Sequence, residues 1–326
     1  MSKKKVWITD YFNEASLEKS ILGDVVSFEP HEDIEVIIVW HKKVDKKLID
    51  SFPKLKGIVR YGVGYDNVDF NYAIKKSIPV CNNPDYGVEE VADTAMAMIM
   101  SVSRGINEYN YNAKFLSDSW KKNTLSRIER ISNLNLGLIG IGRIGGNVAI
   151  KSNAMNFNVH FYDPYVPQGF DKLFNSKRHD SVESLLKVCD IISIHCPLTD
   201  ETEGMINKEF INLMKDHSSL VNVSRGKIIN NLDDFYQPLK SNKISCLYLD
   251  VTPEEPPKGA LIDSWKNQEK WLGDRLIINP HSAYYSKTSY DELRLNAAKM
   301  AKLIIENKKL INVINNGINF RNRSSS

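Results

Sequence analysis

Short runs of β-branched and other apolar residues recur along the chain, each followed by a longer stretch in which apolar positions return at helical spacing. In the first third these runs are KVWITD, VVSFEP, EVIIVW, LKGIVRYG and IPVCN. A second series begins near Leu136 and comprises LGLIGIG, NVHFYD, IISIHC, LVNVS, CLYLDV and RLIINPH. Strand-length apolar runs alternating with helical patterns predict βαβ units, in which parallel strands are joined by helical crossovers. The expected fold class is α/β, with two doubly wound parallel sheets, one of five strands and one of six.

Between the two series lies EEVADTAMAMIMSVSRGINEYNYNAKFLSDSW, free of proline, with Val91, Ala95, Met98, Ile99 and Val102 on one helical face. It reads either as an ordinary buried helix or as an interdomain connector extended by an arm to Trp120 that serves a dimer interface. Past His281, DELRLNAAKMAKLIIENKKL is a second amphipathic helix, and the remainder holds no sheet of its own. Such a terminus is expected to return to the first domain. That domain is then discontinuous, built from residues 1–102 and 288–326, with residues 103–287 inserted as the second. The tail RNRSSS is expected to be a solvated end.

Composition narrows the class. The 326 residues suffice for two cores, and 42% hydrophobic with 25% charged residues excludes a disordered chain, collagen or a small disulfide scaffold. Lys plus Arg number 43 against 40 Asp plus Glu, so the formal charge of +3 gives no reason to expect binding to nucleic acid or an anionic membrane. Glu35 and Asp93 interrupt the longest apolar stretches, so no transmembrane span is expected. The start, MSKKKVWITDYF, lacks the apolar core of a signal peptide, and a cytoplasmic protein is expected. Cys81, Cys189, Cys196 and Cys246 form no CxxC pair, which predicts buried thiols and no metal site.

The strongest chemical signal is LGLIGIGRIGGNVAIK. Gly140, Gly142 and Gly145 follow an apolar strand and open a helical pattern: the first allows a tight turn, the second lets backbone approach a pyrophosphate, and the third lets helix and strand pack closely. The phosphate charge would sit on the N–H groups of the helix start. The next strand, NVHFYDPY, ends in Asp163, and 163 − 140 = 23 residues is the separation suited to an acid that binds the adenosine ribose hydroxyls. A turn-forming Asp before Pro164 would not account for that spacing. A carboxylate there repels a 2′-phosphate, and no Arg or Lys follows in DPYVPQ, so NAD is expected over NADP.

Taken together with VRYGVGYDNVD, CNNPDYGVEEVADTA, HCPLTDETEGMIN, VNVSRG, LDVTPEEP and NPHSAYYS, this motif resembles the D-isomer-specific 2-hydroxyacid dehydrogenases over nearly the whole chain. The local wording is most similar to the branch that includes the C-terminal binding protein corepressors and phosphoglycerate dehydrogenase-like enzymes. The resemblance implies a flavodoxin-like substrate domain and an inserted Rossmann NAD-binding domain. It also implies hydride transfer between NADH and C2 of a small 2-oxo or D-2-hydroxy acid, and a homodimer. Such chemistry needs a fixed cation, a proton donor and a hydride. Arg225 matches the cation, able to grip a carboxylate bidentately. His281 matches the acid and base, and Glu255, directly before Pro256, matches the carboxylate that orients the ring. A formate dehydrogenase would be expected to carry Gln at that position.

On the cofactor side the resemblance implies Gly140, Gly142, Arg143, Ile144, Gly145, Asp163, Thr94, Cys196, Pro197, Thr199, Val223, Ser224, Arg225, Asp250, His281 and Ala283, with Asp250 on the nicotinamide carboxamide. Nothing marks Cys196 as a nucleophile. On the substrate side it implies backbone amides around Gly62, Val63 and Gly64, with Arg60 and Tyr284 nearby. Arg60 and Lys42, beside His41, either favour a 2-oxo acid with a further polar or anionic group or are a structural Arg and a solvated Lys, and Arg60, Arg225 and His281 are expected to converge on one small anion. Trp265 and Trp271, in the stretch between Glu255 and His281, either cover the cleft or pack on the surface. A protein of another class, an NAD-sensing, corepressor-like scaffold with little turnover, would keep the same residues.

Overall fold

The computed structural model describes residues 4–10, 14–115, 120 and 124–314. The tail RNRSSS and residues 116–119 of the expected arm lie outside the described residues. The chain divides into two compact units, residues 1–87 with 285–326, and residues 88–284. Helices used below are α1 (Ser16–Leu22), α2 (Val88–Arg104), α3 (Ile106–Phe115), α4 (Arg143–Ala154) and α5 (Lys287–Ile305).

The first unit holds β1 (Val6–Ile8), β2 (Val26–Ser27), β3 (Val36–Val39), β4 (Gly57–Arg60) and β5 (Val80–Cys81), all parallel, in the order β2-β1-β3-β4-β5. That is the flavodoxin-like order, in which ligands lie beyond the carboxyl ends of the strands where the winding reverses. Every residue of β3 is buried, as expected of a strand with helices on both faces. The close of the chain completes this unit. A side chain at Gly57 would meet the Ile304 side chain of α5 at 2.6 Å, so glycine leaves room for that side chain to pack against β4.

A buried ion pair fastens α5 to α1. Arg294 donates from Nε to Glu18 Oε1 at 2.8 Å and from Nη2 to Oε2 at 2.6 Å, and Tyr61 donates to the same carboxylate at 3.0 Å. Glu18 is fully buried. Removing one partner of such a pair leaves an uncompensated charge, so Glu18→Ala is expected to cost about 3–5 kcal/mol in urea unfolding. A loss well below that would show that the pair does not hold the two helices.

The second unit holds β6 (Asn135–Ile139), β7 (Asn158–Tyr162), β8 (Lys177–Arg178), β9 (Ile191–Ile194), β10 (Ser218–Asn222), β11 (Ile244–Leu249) and β12 (Leu276–Ile278). Their order is β12-β11-β10-β9-β6-β7-β8, again all parallel, with the reversal of winding between β6 and β9. Counted from β6, this is the dinucleotide-fold order with one more strand. The sheet has seven strands where the apolar runs indicated six, because β8 is only Lys177 and Arg178 at the sheet edge. The units divide at Gly87 and Tyr284, so α2, expected at the end of the first domain up to residue 102, packs in the second. Its Val91, Ala92, Ala95, Ile99 and Val102 share a core with Leu136, Leu138, Val148 and Ala149. No helix among the described residues is long and apolar enough to cross a membrane.

Candidate active site

The glycine turn runs from the end of β6 into α4. Gly140 has φ +90°, a region that favours glycine, and a side chain there would strike the Cys196 backbone nitrogen at 2.7 Å. A Cβ on Gly145 would lie 2.2 Å from the Gly140 carbonyl oxygen. At Gly142, by contrast, an added Cβ meets nothing within 4 Å. One open position between two crowded ones at the start of a twelve-residue helix fits a pyrophosphate on the first N–H groups of α4, from Arg143 to Gly145. Gly145→Ala overpacks the turn, and about 1–3 kcal/mol of stability should go with most NADH binding, read by thermal melting and fluorescence titration. Unchanged NADH affinity would show that the turn is not the phosphate site.

Across the winding reversal, the loop after β9 supplies Cys196, Pro197 and Thr199. Thr202 Oγ1 shapes it, donating to the Pro197 carbonyl at 2.7 Å and accepting the Thr199 N–H at 2.8 Å. Burial pushes the Cys196 thiol up to about 12, which removes it as a nucleophile at neutral pH. The other three cysteines are buried and free as well, and the described residues hold no cluster of three or more metal-ligating side chains. His195, one residue earlier, is half-buried, and desolvation of its ring pushes it down to about 3, so it brings no charge to the turn.

Asp163 ends β7. Its Oδ2 accepts the Ile141 N–H at 3.0 Å and its Oδ1 the Tyr165 N–H at 2.9 Å. An ionised carboxylate has about four acceptor positions, so two are filled and two remain, the number that a ribose diol requires. The link to Ile141 ties the acid directly to the glycine turn.

Arg225, Glu255 and His281 follow β10, β11 and β12, three successive neighbours in the sheet. His281 Nδ1 lies 3.0 Å from Glu255 Oε2. Burial raises the Glu255 carboxyl, but the hydrogen bond and charge of His281, the Thr252 N–H and the charge of Arg225 outweigh it and hold the group below its ordinary value. Asp250 supports the histidine turn from beneath, accepting the N–H groups of Ser282 and Ala283 at 3.0 Å. Desolvation raises its carboxyl, partly offset by those N–H groups. Thr94 on α2 donates to the Ala283 carbonyl at 3.4 Å.

Two residues missed in the sequence hold Arg225. Asn222, fully buried, accepts the Ser224 N–H at 3.0 Å and donates to the Arg225 carbonyl at 3.0 Å, closing the turn through Val223. The Ser224 hydroxyl in turn donates to the Cys196 carbonyl. Gly226 lies so close to the turn before Glu255 that a Cβ would fall 1.9 Å from the Thr252 carbonyl oxygen. An Asn two residues before a Ser is a recognisable turn signal, yet only the fold shows what it positions.

In the first unit, Arg60 donates from Nε to the Gly64 carbonyl at 2.7 Å and from Nη1 to Val39 at 3.0 Å and to Trp40. These bonds tie the Gly62–Val63–Gly64 loop to the end of β3. The neighbouring segment is held by Asp10, which accepts N–H groups from Trp40, His41 and Lys42 at 3.0, 2.6 and 2.8 Å. Lys42 Nζ stands 5.6 Å from the centre of the Trp7 ring. In the second unit Tyr284 packs, half-buried, on the core that contains α2. Trp265 and Trp271 pack on the other core of that unit, with Trp271 5.2 Å from Tyr236. Trp265 borders a depression of about 300 Å³ shared with Tyr111 and Leu272.

Comparison with known proteins agrees with this geometry. Residues 96–283 match the profile of the D-isomer specific 2-hydroxyacid dehydrogenase, NAD binding domain. The chain is 32% identical over 288 residues to D-3-phosphoglycerate dehydrogenase of Methanocaldococcus jannaschii, covering 88% of this chain and 53% of that protein. It is 30% identical over 319 residues to C-terminal-binding protein 1 of Caenorhabditis elegans, covering 90% of this chain and 42% of that one. The chain thus spans about half the length of these curated relatives. A solved structure of D-lactate dehydrogenase from Aquifex aeolicus, complexed with NAD and lactic acid, is 31% identical with a TM-score of 0.80, over 93% of this chain and 96% of that one. With matching fold, profile and relatives, the chain belongs to the D-isomer specific 2-hydroxyacid dehydrogenases and carries their NAD-binding domain.

Proposed function

We propose that the chain is an NAD-dependent D-2-hydroxyacid dehydrogenase acting on a small 2-oxo acid. The observation that carries this reading is the His281–Glu255 pair, 3.0 Å apart on loops after adjacent strands, with Arg225 on the loop after the next strand. NADH, when bound, supplies the hydride in reduction, and NAD accepts it in the reverse direction. Arg225 grips the acid's carboxylate and polarises the neighbouring carbonyl. Because Nδ1 of His281 faces Glu255, Nε2 is the atom that gives its proton to the carbonyl oxygen as the alcohol forms, and takes it back in oxidation. Glu255, held ionised, favours the protonated ring and fixes its orientation.

In the first unit, the amides of Gly62 to Gly64 recognise the acid. Arg60, braced through Nε and Nη1 on three carbonyls, and Lys42 give the site its preference for a further polar or anionic group. Exposed Ile106 and Phe115 on α3 support self-association as a homodimer. Turnover of NADH with glyoxylate, pyruvate, hydroxypyruvate and a dicarboxylic 2-oxo acid tests both activity and selection. A clear preference for small uncharged side chains would remove the role given to Arg60 and Lys42.

The similarity to C-terminal-binding protein 1 favours a second reading, an NAD-sensing scaffold. If wild type and His281→Asn were equally inert on every acid while NADH bound tightly, that reading would replace the first.

A further inference from the structure

We propose that Arg178 is a positioning residue for cofactor choice: it holds the loop at residues 163–167 in the form that presents Asp163 to an unphosphorylated ribose. The inference rests on the reading of Asp163 as the ribose-binding acid. Arg178 lies on β8, opposite Phe161 of β7 in the parallel register. From there Nη2 donates to the carbonyls of Asp163 and Val166, each at 3.1 Å, and Nη1 to that of Pro167 at 3.2 Å. One planar cation thus gathers three carbonyls of a single short loop, an arrangement suited to a guanidinium.

The loop needs an outside donor. Pro164 and Pro167 have no N–H, which limits any ladder the loop could make for itself, and its carbonyls would otherwise have to find water. With Arg178 behind it, the loop is fixed at both ends of Asp163: the carbonyl by the guanidinium, and the carboxylate by the N–H groups of Ile141 and Tyr165. The two acceptor positions left on the carboxylate then keep one direction. That favours a ribose diol, and it keeps a negative charge where a 2′-phosphate would have to sit. Arg178 is a cation beside the ribose acid, but its bonds run to the loop backbone, so it serves NAD and not the phosphate of NADP.

The test is energy transfer from protein tryptophan to the nicotinamide of NADH and, separately, of NADPH, titrated into wild type, Arg178→Gln, Arg178→Lys and Asp163→Ala. Arg178→Gln is expected to weaken NADH about tenfold while NADPH changes less than about twofold, the loss of charge-assisted positioning being specific to the diol. Arg178→Lys should fall between, since a single ammonium cannot span three carbonyls, and melting temperatures of the cofactor-free variants report folding. Equal weakening of both cofactors would mean a merely structural role and would overturn the inference, as would no change in either. Asp163→Ala separates the two claims. If it leaves the NADH to NADPH ratio at the wild-type value, the ribose reading itself fails. If it collapses the ratio and the Arg178 variants do not, only the role of Arg178 is lost.

Discussion

Arg225→Ala is expected to lower kcat/KM for any accepted 2-oxo acid by roughly three to five orders of magnitude, because one substitution removes both the anchor of the carboxylate and the charge that stabilises the developing alkoxide. The effect should be local. The turn that carries Arg225 is closed by Asn222 and packed through Gly226, and both of those contacts use backbone atoms that alanine retains. Melting temperature should therefore stay within a few degrees of wild type. Arg225→Lys keeps the charge but loses the fork, so it should recover only part of the activity. Steady-state kinetics of all three proteins decide this, and a loss below about tenfold in the alanine variant would remove Arg225 from the chemistry.

Loss of His281 is the second large effect, at about two to four orders of magnitude in kcat. The choice of substitution follows from the backbone. His281 has φ +53°, a region that asparagine tolerates better than alanine, so His281→Asn removes the proton carrier with less risk of strain. Glu255→Gln tests the partner through pH. Reduction needs the proton on His281, and a carboxylate beside the ring favours that form, whereas an amide does not. The alkaline limb of kcat/KM for reduction should therefore move to lower pH in Glu255→Gln. In oxidation, which needs the unprotonated ring, the acidic limb should move to lower pH as well. An unchanged pH profile would separate Glu255 from the proton transfer.

Much of this was legible in the residues, and the exceptions share a physical cause. Among the described residues, eleven of the twelve strands announce themselves as apolar runs, because strands covered on both faces must be apolar. β8 does not: it is two basic residues on a sheet edge, with no periodicity to detect, and nothing in the residue pattern places Arg178 behind Asp163. For α2, the spacing shows a buried face but not which core the face meets, and it meets that of the second unit. Arg60 illustrates the same limit for charge. Its type allows a substrate contact or a structural bond, and residue identity does not contain that Nε and Nη1 reach the carbonyls of Gly64, Val39 and Trp40 and so brace the loop of Gly62 to Gly64. The glycine motif was fully legible because its requirement is steric and local, as the crowding at Gly140 and Gly145 and the opening at Gly142 show.

On the proposed reading, this chain moves a hydride to C2 of a 2-oxo acid with His281 as proton donor. The decisive measurement is incubation with NADH dideuterated at the nicotinamide C4 and a panel of 2-oxo acids, followed by mass spectrometry and chiral separation of the products. Wild type should yield a D-2-hydroxy acid carrying deuterium at C2, and His281→Asn at most a trace. If wild type binds NADH yet yields no deuterated hydroxy acid from any member of the panel, the dehydrogenase reading fails and the scaffold reading stands in its place.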